Sequence, residues 1–80
     1  MATILVVDDD RQVCALLKQA LEDQGYTVDC AANGVEGIKE YRNHPADLII
    51  LDILMPEKEG LETILDLRRE FPQVKIIAMS

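Results

Sequence analysis

The feature that most constrains the fold is the apolar run at residues 48–51, which ends in Asp52. An apolar run without polar alternation is typical of a strand covered on both faces, as in parallel α/β sheets. A carboxylate rarely follows such a run unless it lies at the strand's end, paired with a metal or another charge. We therefore predict a buried strand that carries Asp52 to a crevice. Pro56 and Gly60 predict a loop after it.

The other elements alternate between strand and helix patterns. Residues 3–7 form a second apolar run that ends in carboxylates, residues 26–31 read as an edge strand, and residues 74–79 read as a fourth strand. Helical patterns lie between these runs, and the second of them covers residues 35–42. The order β-α-β-α-β-α-β with short connections predicts an α/β fold with a doubly wound parallel sheet.

The first helix shows the clearest apolar stripe, and Asp9 or Asp10 is placed to cap it. The stripe predicts which of its residues face the sheet: Val13, Leu16, Leu17, Ala20 and Leu21. Cys14 lies at the flank of this stripe. Since two cysteines this far apart do not match a metal-site spacing, we predict that Cys14 and Cys30 are free thiols.

Charge limits the partners of the chain. Eight basic residues stand against fifteen acidic ones, for a net charge of −7. This balance repels phosphate backbones and anionic lipids, so this segment is not expected to bind nucleic acid or membrane surfaces directly. We find no membrane-spanning run and no cleavable leader pattern, which favours a cytoplasmic location.

The strand ends predict a metal site. Carboxyl ends of adjacent parallel strands meet at one edge of a sheet, which would bring Asp8, Asp9 and Asp52 into one crevice. Three carboxylates repel one another unless a hard cation lies among them, and all-oxygen ligands favour Mg²⁺ or Mn²⁺. A carboxylate beside such an ion can attack a phosphoryl group and form an acyl phosphate. Asp52 is the best-placed nucleophile because its apolar strand holds it rigidly.

These motifs resemble those of the receiver domain of two-component response regulators. The resemblance rests on the run of residues 4–9, the Asn33-Gly34 turn, residues 51–56, Gly60, and a last strand ending in Ser80. It implies a flavodoxin-like, CheY-like sheet with strand order 2-1-3-4, and phosphoryl transfer from a sensor histidine kinase rather than an enzyme's turnover. It assigns the phosphoacceptor to Asp52 and the Mg²⁺ ligands to Asp8, Asp9, Asp52 and the backbone carbonyl of Leu54. It further implies that Ser80 is the switch hydroxyl and that Met55, Pro56 and Gly60 belong to the adjoining loop.

Two departures from the family pattern stand out. Glu59 occupies a position where the family usually has Asp. The sequence stops at Ser80, where the family pattern continues through a fourth helix, a fifth strand and a fifth helix, so residues 1–80 are expected to be the N-terminal two-thirds of a receiver. No lysine here can be assigned as the one that pairs with the phosphoryl group: Lys75 opens the predicted fourth strand, and the other three lie on predicted helix or loop surface, namely Lys18, Lys39 and Lys58.

Three consequences are expected from this shortened pattern. An output domain would lie on the C-terminal side, and phosphorylation of this segment by small phosphodonors would be slow or undetectable. The exposed edge of the fourth strand would favour a homodimer or a swapped oligomer.

Two other functions remain open at this stage. The Asp-x-Asp pattern at residues 8–10 also occurs in haloacid-dehalogenase-like phosphatases, which would make Asp8 the nucleophile. That reading expects Ser or Thr shortly after Asp10, where this chain has Arg11-Gln12-Val13, and it gives Asp52 no role. The third possibility is a non-catalytic interaction module or folding fragment.

Overall fold

Seven elements alternate along the chain in the computed structural model, which describes residues 2–54 and 59–79. They are β1 (Thr3–Val7), α1 (Arg11–Asp23), β2 (Thr27–Ala31), α2 (Gly34–Asn43), β3 (Leu48–Asp52), α3 (Glu59–Glu70) and β4 (Ile76–Met79). Among the described residues, no helix is long and apolar enough to cross a membrane. The predicted alternation is confirmed, and no boundary that was predicted for a strand or for the second helix differs by more than two residues.

The strands form one parallel sheet of order β2-β1-β3-β4. This order confirms the predicted flavodoxin-like fold class. The register pairs Val7 of β1 with Leu51 of β3, so Asp8 and Asp52 follow at the same level of the sheet. Parallel pairing with this register is what brings residues 44 positions apart in sequence to one edge.

Each face of the sheet packs against a different set of helices. On the face that we call the two-helix face, α2 and α3 cover a cluster of buried residues: Leu5, Val7, Ala31, Ile49, Leu51, Leu67 and Val74. On the opposite side, the one-helix face, α1 covers a smaller cluster: Ile4, Val6, Cys14 and Val28. Successive strand residues point to opposite faces, so the apolar runs supply both clusters.

The rotation of α1 differs from the prediction. Leu16 is 69% exposed, whereas Cys14 is buried and packs against the one-helix face together with Leu17 and Leu21. Those three residues are spaced i, i+3 and i+7, which is also a helical stripe. The predicted stripe was therefore wrong by part of a turn, because several apolar residues of this helix compete for the same face and only the docked sheet decides among them.

The prediction of free thiols is wrong in this structure. Cys14 and Cys30 form a disulfide that joins α1 to β2, with Cα atoms 6.3 Å apart. This separation lies within the range that disulfides normally span. The cysteines are 16 residues apart in sequence, and the packing of α1 on the sheet brings them together.

The assignment of Gly60 to a loop is also wrong. Gly60 is the second residue of α3 and is buried. A Cβ atom at this position would lie 2.5 Å from the Cα of Ile53 and 2.7 Å from the carbonyl oxygen of Asp52. The residue is needed because the start of α3 packs directly on the backbone that follows the strand, and a side chain would not fit there.

Candidate functional site

Three carboxylates converge at the carboxyl end of the sheet. Asp8 directly follows β1 and is only 5% exposed, Asp9 beside it is exposed, and Asp52 is the half-buried last residue of β3. One carboxylate oxygen from each of the three lies within 4.8 Å of the others. The structure thus brings together the three acids that the strand ends predicted.

Backbone amides orient two of these acids. Asp8 Oδ1 accepts a hydrogen bond from the Asp10 amide at 2.8 Å, and Asp52 Oδ1 accepts one from the Leu54 amide at 2.8 Å. Each carboxylate has two oxygens, so one can be held by the backbone while the other faces the cluster. These hydrogen bonds to nearby backbone amides therefore restrict the side-chain conformations of both acids.

Asp10 belongs to the helix and not to the cluster. Its Oδ1 accepts hydrogen bonds from the amides of Gln12 at 2.9 Å and Val13 at 3.4 Å, which makes it the N-cap of α1. The sequence left the cap open between Asp9 and Asp10, and the structure selects Asp10. Asp9 remains exposed at the cluster, where a ligand can reach it.

The pKa of Asp8 is raised above its ordinary value. Burial is the main cause that raises the pKa of this carboxyl, and the neighbouring charges of Asp52, Asp9 and Asp10 raise it further. The hydrogen bond from the Asp10 amide opposes the rise. A divalent cation would relieve this repulsion, and an all-oxygen donor set of three carboxylates fits Mg²⁺ or Mn²⁺.

Of the remaining predicted site residues, the structure describes Leu54, while several others lie outside the described residues. Leu54 donates its amide to Asp52, and its side chain is exposed. Its role as a carbonyl ligand stays a prediction. Met55, Pro56 and Ser80 lie outside the described residues, and so does Lys58.

Glu59 makes a contact that the sequence did not reveal. Its carboxylate Oε1 accepts the backbone amide hydrogen of Gly34, the first residue of α2. Its backbone carbonyl accepts a hydrogen bond from the Thr63 hydroxyl at 2.7 Å. A Cβ atom at Gly34 would collide with the same hydroxyl oxygen, so Gly34 lets the starts of α2 and α3 approach each other. Gly34 and Glu59 are 25 residues apart, and no local pattern signals such a contact.

The sequence is similar to those of response regulators. Residues 4–80 match the family model described as the response regulator receiver domain. The response regulator MprA from Mycobacterium sp. (strain KMS) is 39% identical over 77 residues, a match that covers 96% of this chain and 34% of MprA. The chain thus spans about one third of the length of this curated relative.

Solved structures give the same fold. The response regulator protein TrrA from Thermotoga maritima, solved in complex with Mg²⁺-BeF, aligns with a TM-score of 0.91 at 44% identity. That alignment covers 98% of this chain and 68% of TrrA. TrrA in complex with the histidine kinase ThkA aligns with a TM-score of 0.89, also at 44% identity, over 98% of this chain and 67% of TrrA.

Proposed function

The chain belongs to the response regulator receiver domain family, and from this premise we propose that Asp52 accepts a phosphoryl group from a sensor histidine kinase in a Mg²⁺- or Mn²⁺-dependent step. The observation that carries the proposal is the convergence of Asp8, Asp9 and Asp52 within 4.8 Å. A kinase partner is supported by the relative TrrA, which has been solved with ThkA. The proposed location is the cytoplasm, as the sequence analysis favours.

In the proposed reaction Asp52 is the nucleophile. A carboxylate oxygen attacks the phosphorus of a phosphohistidine, an oxygen–phosphorus bond forms, and the phosphorus–nitrogen bond breaks. The leaving imidazole takes the electron pair and is protonated from solvent, which leaves an acyl phosphate on Asp52. The amide of Leu54 holds Oδ1 of Asp52 at 2.8 Å and so fixes the direction from which the carboxylate attacks.

The other acids serve as ligands. Asp8 and Asp9 would hold the cation, together with Asp52 and the backbone carbonyl of Leu54. When bound, the cation neutralises the negative charge that builds on the phosphoryl oxygens during transfer. Ser80 is the proposed switch hydroxyl, and Met55 and Pro56 are the proposed loop residues, on the resemblance in sequence.

The downstream part of the function is also a proposal. MprA is a response regulator of which this chain covers 34%, and on that basis we propose that an output domain reads the phosphorylated receiver. A homodimer or swapped oligomer through β4 stays a prediction. It is supported by the position of β4 at the edge of the described sheet, where Ile77 is 52% exposed. Sedimentation velocity at micromolar concentration would test it.

The phosphatase alternative loses its main support in the structure. The Asp-x-Asp reading needs Asp8 and Asp10 to act together, but Asp10 caps α1. Asp8 is buried and accepts a hydrogen bond from the Asp10 amide, whereas Asp52 is less buried than Asp8. A nucleophile at Asp52 therefore fits the geometry better than one at Asp8.

Trapping the acyl phosphate tests the proposal. The chain would be incubated with Mg²⁺ and either phosphorylated ThkA or acetyl phosphate, reduced with borohydride, and mapped by mass spectrometry. We expect label at Asp52, slow with acetyl phosphate, and no label in Asp52→Asn. Asp10→Asn is the matched control, because Asn caps helices as well as Asp does and the residue lies outside the cluster. Label at Asp8, or label that persists in Asp52→Asn, would contradict the proposal.

Metal binding can be tested without phosphorylation. Mg²⁺ should raise the midpoint of urea unfolding of the wild type and of Asp10→Asn, but not of Asp8→Asn. In the presence of EDTA, Asp8→Asn should unfold at higher urea than the wild type, because it removes one charge from a cluster of three carboxylates. An equal effect of Mg²⁺ on Asp8→Asn and the wild type would argue against a metal site here.

A further inference from the structure

The disulfide between Cys14 and Cys30 lies directly beside the acidic site. Cys14 is in the first turns of α1 and is 7% exposed, while Cys30 is exposed on β2. The two residues thus differ in exposure to solvent: Cys30 is exposed, whereas Cys14 is buried. Because access influences which sulfur of a disulfide is attacked, this asymmetry favours Cys30 as the attacked sulfur and Cys14 as the leaving one.

The surroundings accommodate both oxidation states. Cys14 Sγ lies 4.0 Å from the carbonyl oxygen of Val6, and Cys30 Sγ lies 3.7 Å from the carbonyl oxygen of Cys14. In the reduced form each thiol hydrogen can be donated to the oxygen that its sulfur already faces. Reduction therefore leaves no buried donor without an acceptor, and neither state requires the core to be rebuilt.

A cavity lies beside the disulfide. Its volume is about 350 Å³, and its lining includes Cys14, Cys30, Arg11, Glu36 and Asp8. A cavity of this size admits a small thiol molecule, and Arg11 and Glu36 carry charges of opposite sign that can meet the carboxylate and ammonium groups of a peptide thiol. The same cavity reaches Asp8, so the disulfide and one carboxylate of the acidic site line the same cavity.

We propose that Cys14 and Cys30 form a thiol–disulfide exchange site that reacts with small peptide thiols of the glutathione class and adjusts the metal site at Asp8. A thiolate attacks Cys30 Sγ, the bond between the two protein sulfurs breaks, and Cys14 leaves with the electron pair and takes a proton. A second thiolate attacks the small-molecule sulfur of the mixed disulfide and releases Cys30. The protein gains two hydrogens, and the two small thiols become one small disulfide.

The link to Asp8 runs through short backbone contacts. The amide of Asp8 donates to the carbonyl of Ala31, the residue after Cys30, at 3.1 Å, and the amide of Cys14 donates to the carbonyl of Asp10 at 3.1 Å. The disulfide thus ties together the two segments between which Asp8 lies. The oxidised form holds these segments in place before a ligand binds, and this preorganisation favours binding. This second part of the proposal rests on the proposed function, whereas the exchange chemistry does not.

Redox titration tests the exchange site. The full chain would be equilibrated at increasing ratios of oxidised to reduced glutathione, quenched with acid, alkylated and weighed by mass spectrometry. As the proportion of oxidised glutathione rises, we expect one transition from a form with two alkylated cysteines to a form with none. Cys14→Ser should accumulate glutathione on Cys30, whereas Cys30→Ser should stay a thiol because Cys14 is buried. Two alkylatable thiols in the folded wild type at every ratio would overturn the exchange site.

Calorimetric titration with Mg²⁺ alone tests the coupling. The oxidised form should bind Mg²⁺ about tenfold more tightly than the reduced form, and Cys30→Ser should show the affinity of the reduced form in both oxidising and reducing buffer. Equal affinity in both forms would overturn the coupling and leave the exchange site standing. No Mg²⁺ binding in either form would instead refute the metal site of the proposed function.

Discussion

The two faces of the sheet are stabilised in different ways. Neighbouring residues of β3 make the difference plain: Ile49 faces the two-helix side and is fully buried, while Ile50 faces the one-helix side and is only half-buried. On the first face two helices exclude water from a large apolar cluster. On the second, one helix covers a smaller cluster and a covalent bond through Cys14 fastens it. Burial of apolar side chains stabilises the two-helix face, whereas a disulfide adds to the smaller buried cluster on the one-helix face.

The largest expected effect compares the two isoleucines directly. Ile49→Ala should lower the free energy of unfolding by about 3–4 kcal/mol, and Ile50→Ala by about half as much, because the half-buried site loses fewer contacts and can fill with solvent. Urea unfolding of the oxidised proteins measures both values. If Ile49→Ala does not fold, Ile49→Val and Ile50→Val give the same comparison at about 1 kcal/mol or less. Equal losses at the two positions would mean that the faces do not differ.

The next effect concerns the crosslink on the one-helix face. Reduction of the disulfide should lower the free energy of unfolding by about 3 kcal/mol, because a loop of this length is then free in the unfolded chain. Cys30→Ser should match the reduced wild type and should not respond to reductant. An unfolding curve that reductant leaves unchanged in the wild type would show that packing alone holds α1.

A smaller effect is expected where the two-helix face meets the acidic site. Gly60→Ala should cost about 1–3 kcal/mol because the added Cβ would press on the backbone of Ile53 and Asp52. At an exposed helix position the same change would instead be stabilising by about 1 kcal/mol. Glu62→Ala, on the exposed side of the same helix, is the control and should change stability by less than about 0.5 kcal/mol. A stabilising Gly60→Ala would show that α3 does not pack on the strand end as described.

The smallest effect comes from an ion pair between α2 and α3. Arg42 Nε and Nη2 donate to the two carboxylate oxygens of Glu70 at 2.7 and 2.8 Å, and both side chains are about half exposed. The hydrogen bond from Arg42 lowers the pKa of Glu70. Because the folded pKa is lowered, the stabilisation is present above the pKa of Glu in the unfolded chain and is lost as the pH falls through the folded pKa.

NMR titration of the Glu70 side chain measures this pKa. In Arg42→Gln the pKa of Glu70 should rise toward its ordinary value, with little change in stability at neutral pH. An unchanged pKa would indicate that the two side chains do not meet in solution. A large loss of stability at neutral pH would show that the two-helix face relies on this pair as well as on packing.

Local patterns predicted the strands, while contacts between distant segments escaped prediction. The apolar runs and the acids that end them lie within a few residues of each other, and parallel pairing then required Asp8 and Asp52 to meet. The rotation of α1 did not follow, because Leu16 and Cys14 both fit an apolar stripe and only docking on the sheet chose Cys14. The disulfide follows from that docking.

Other features depend on how two elements approach. Gly60 reads as a turn residue in sequence, since a glycine required by close packing and one required by a turn look alike. The contact between Glu59 and Gly34 joins residues 25 positions apart, and a single substitution relative to the family pattern gives no indication of its partner. Such contacts need coordinates because they belong to pairs of helices rather than to one segment.

The tie between Glu59 and Gly34 has a mechanical consequence. The carboxylate of Glu59 accepts the first amide hydrogen of α2. A displacement of the start of α3 would therefore either break this hydrogen bond or move the start of α2 with it. The segment that links Asp52 to Glu59 is therefore hydrogen-bonded at its far end to the start of a second helix. Exposed Val35 follows Gly34 directly, so a displacement transmitted through this hydrogen bond would reach the protein surface at Val35.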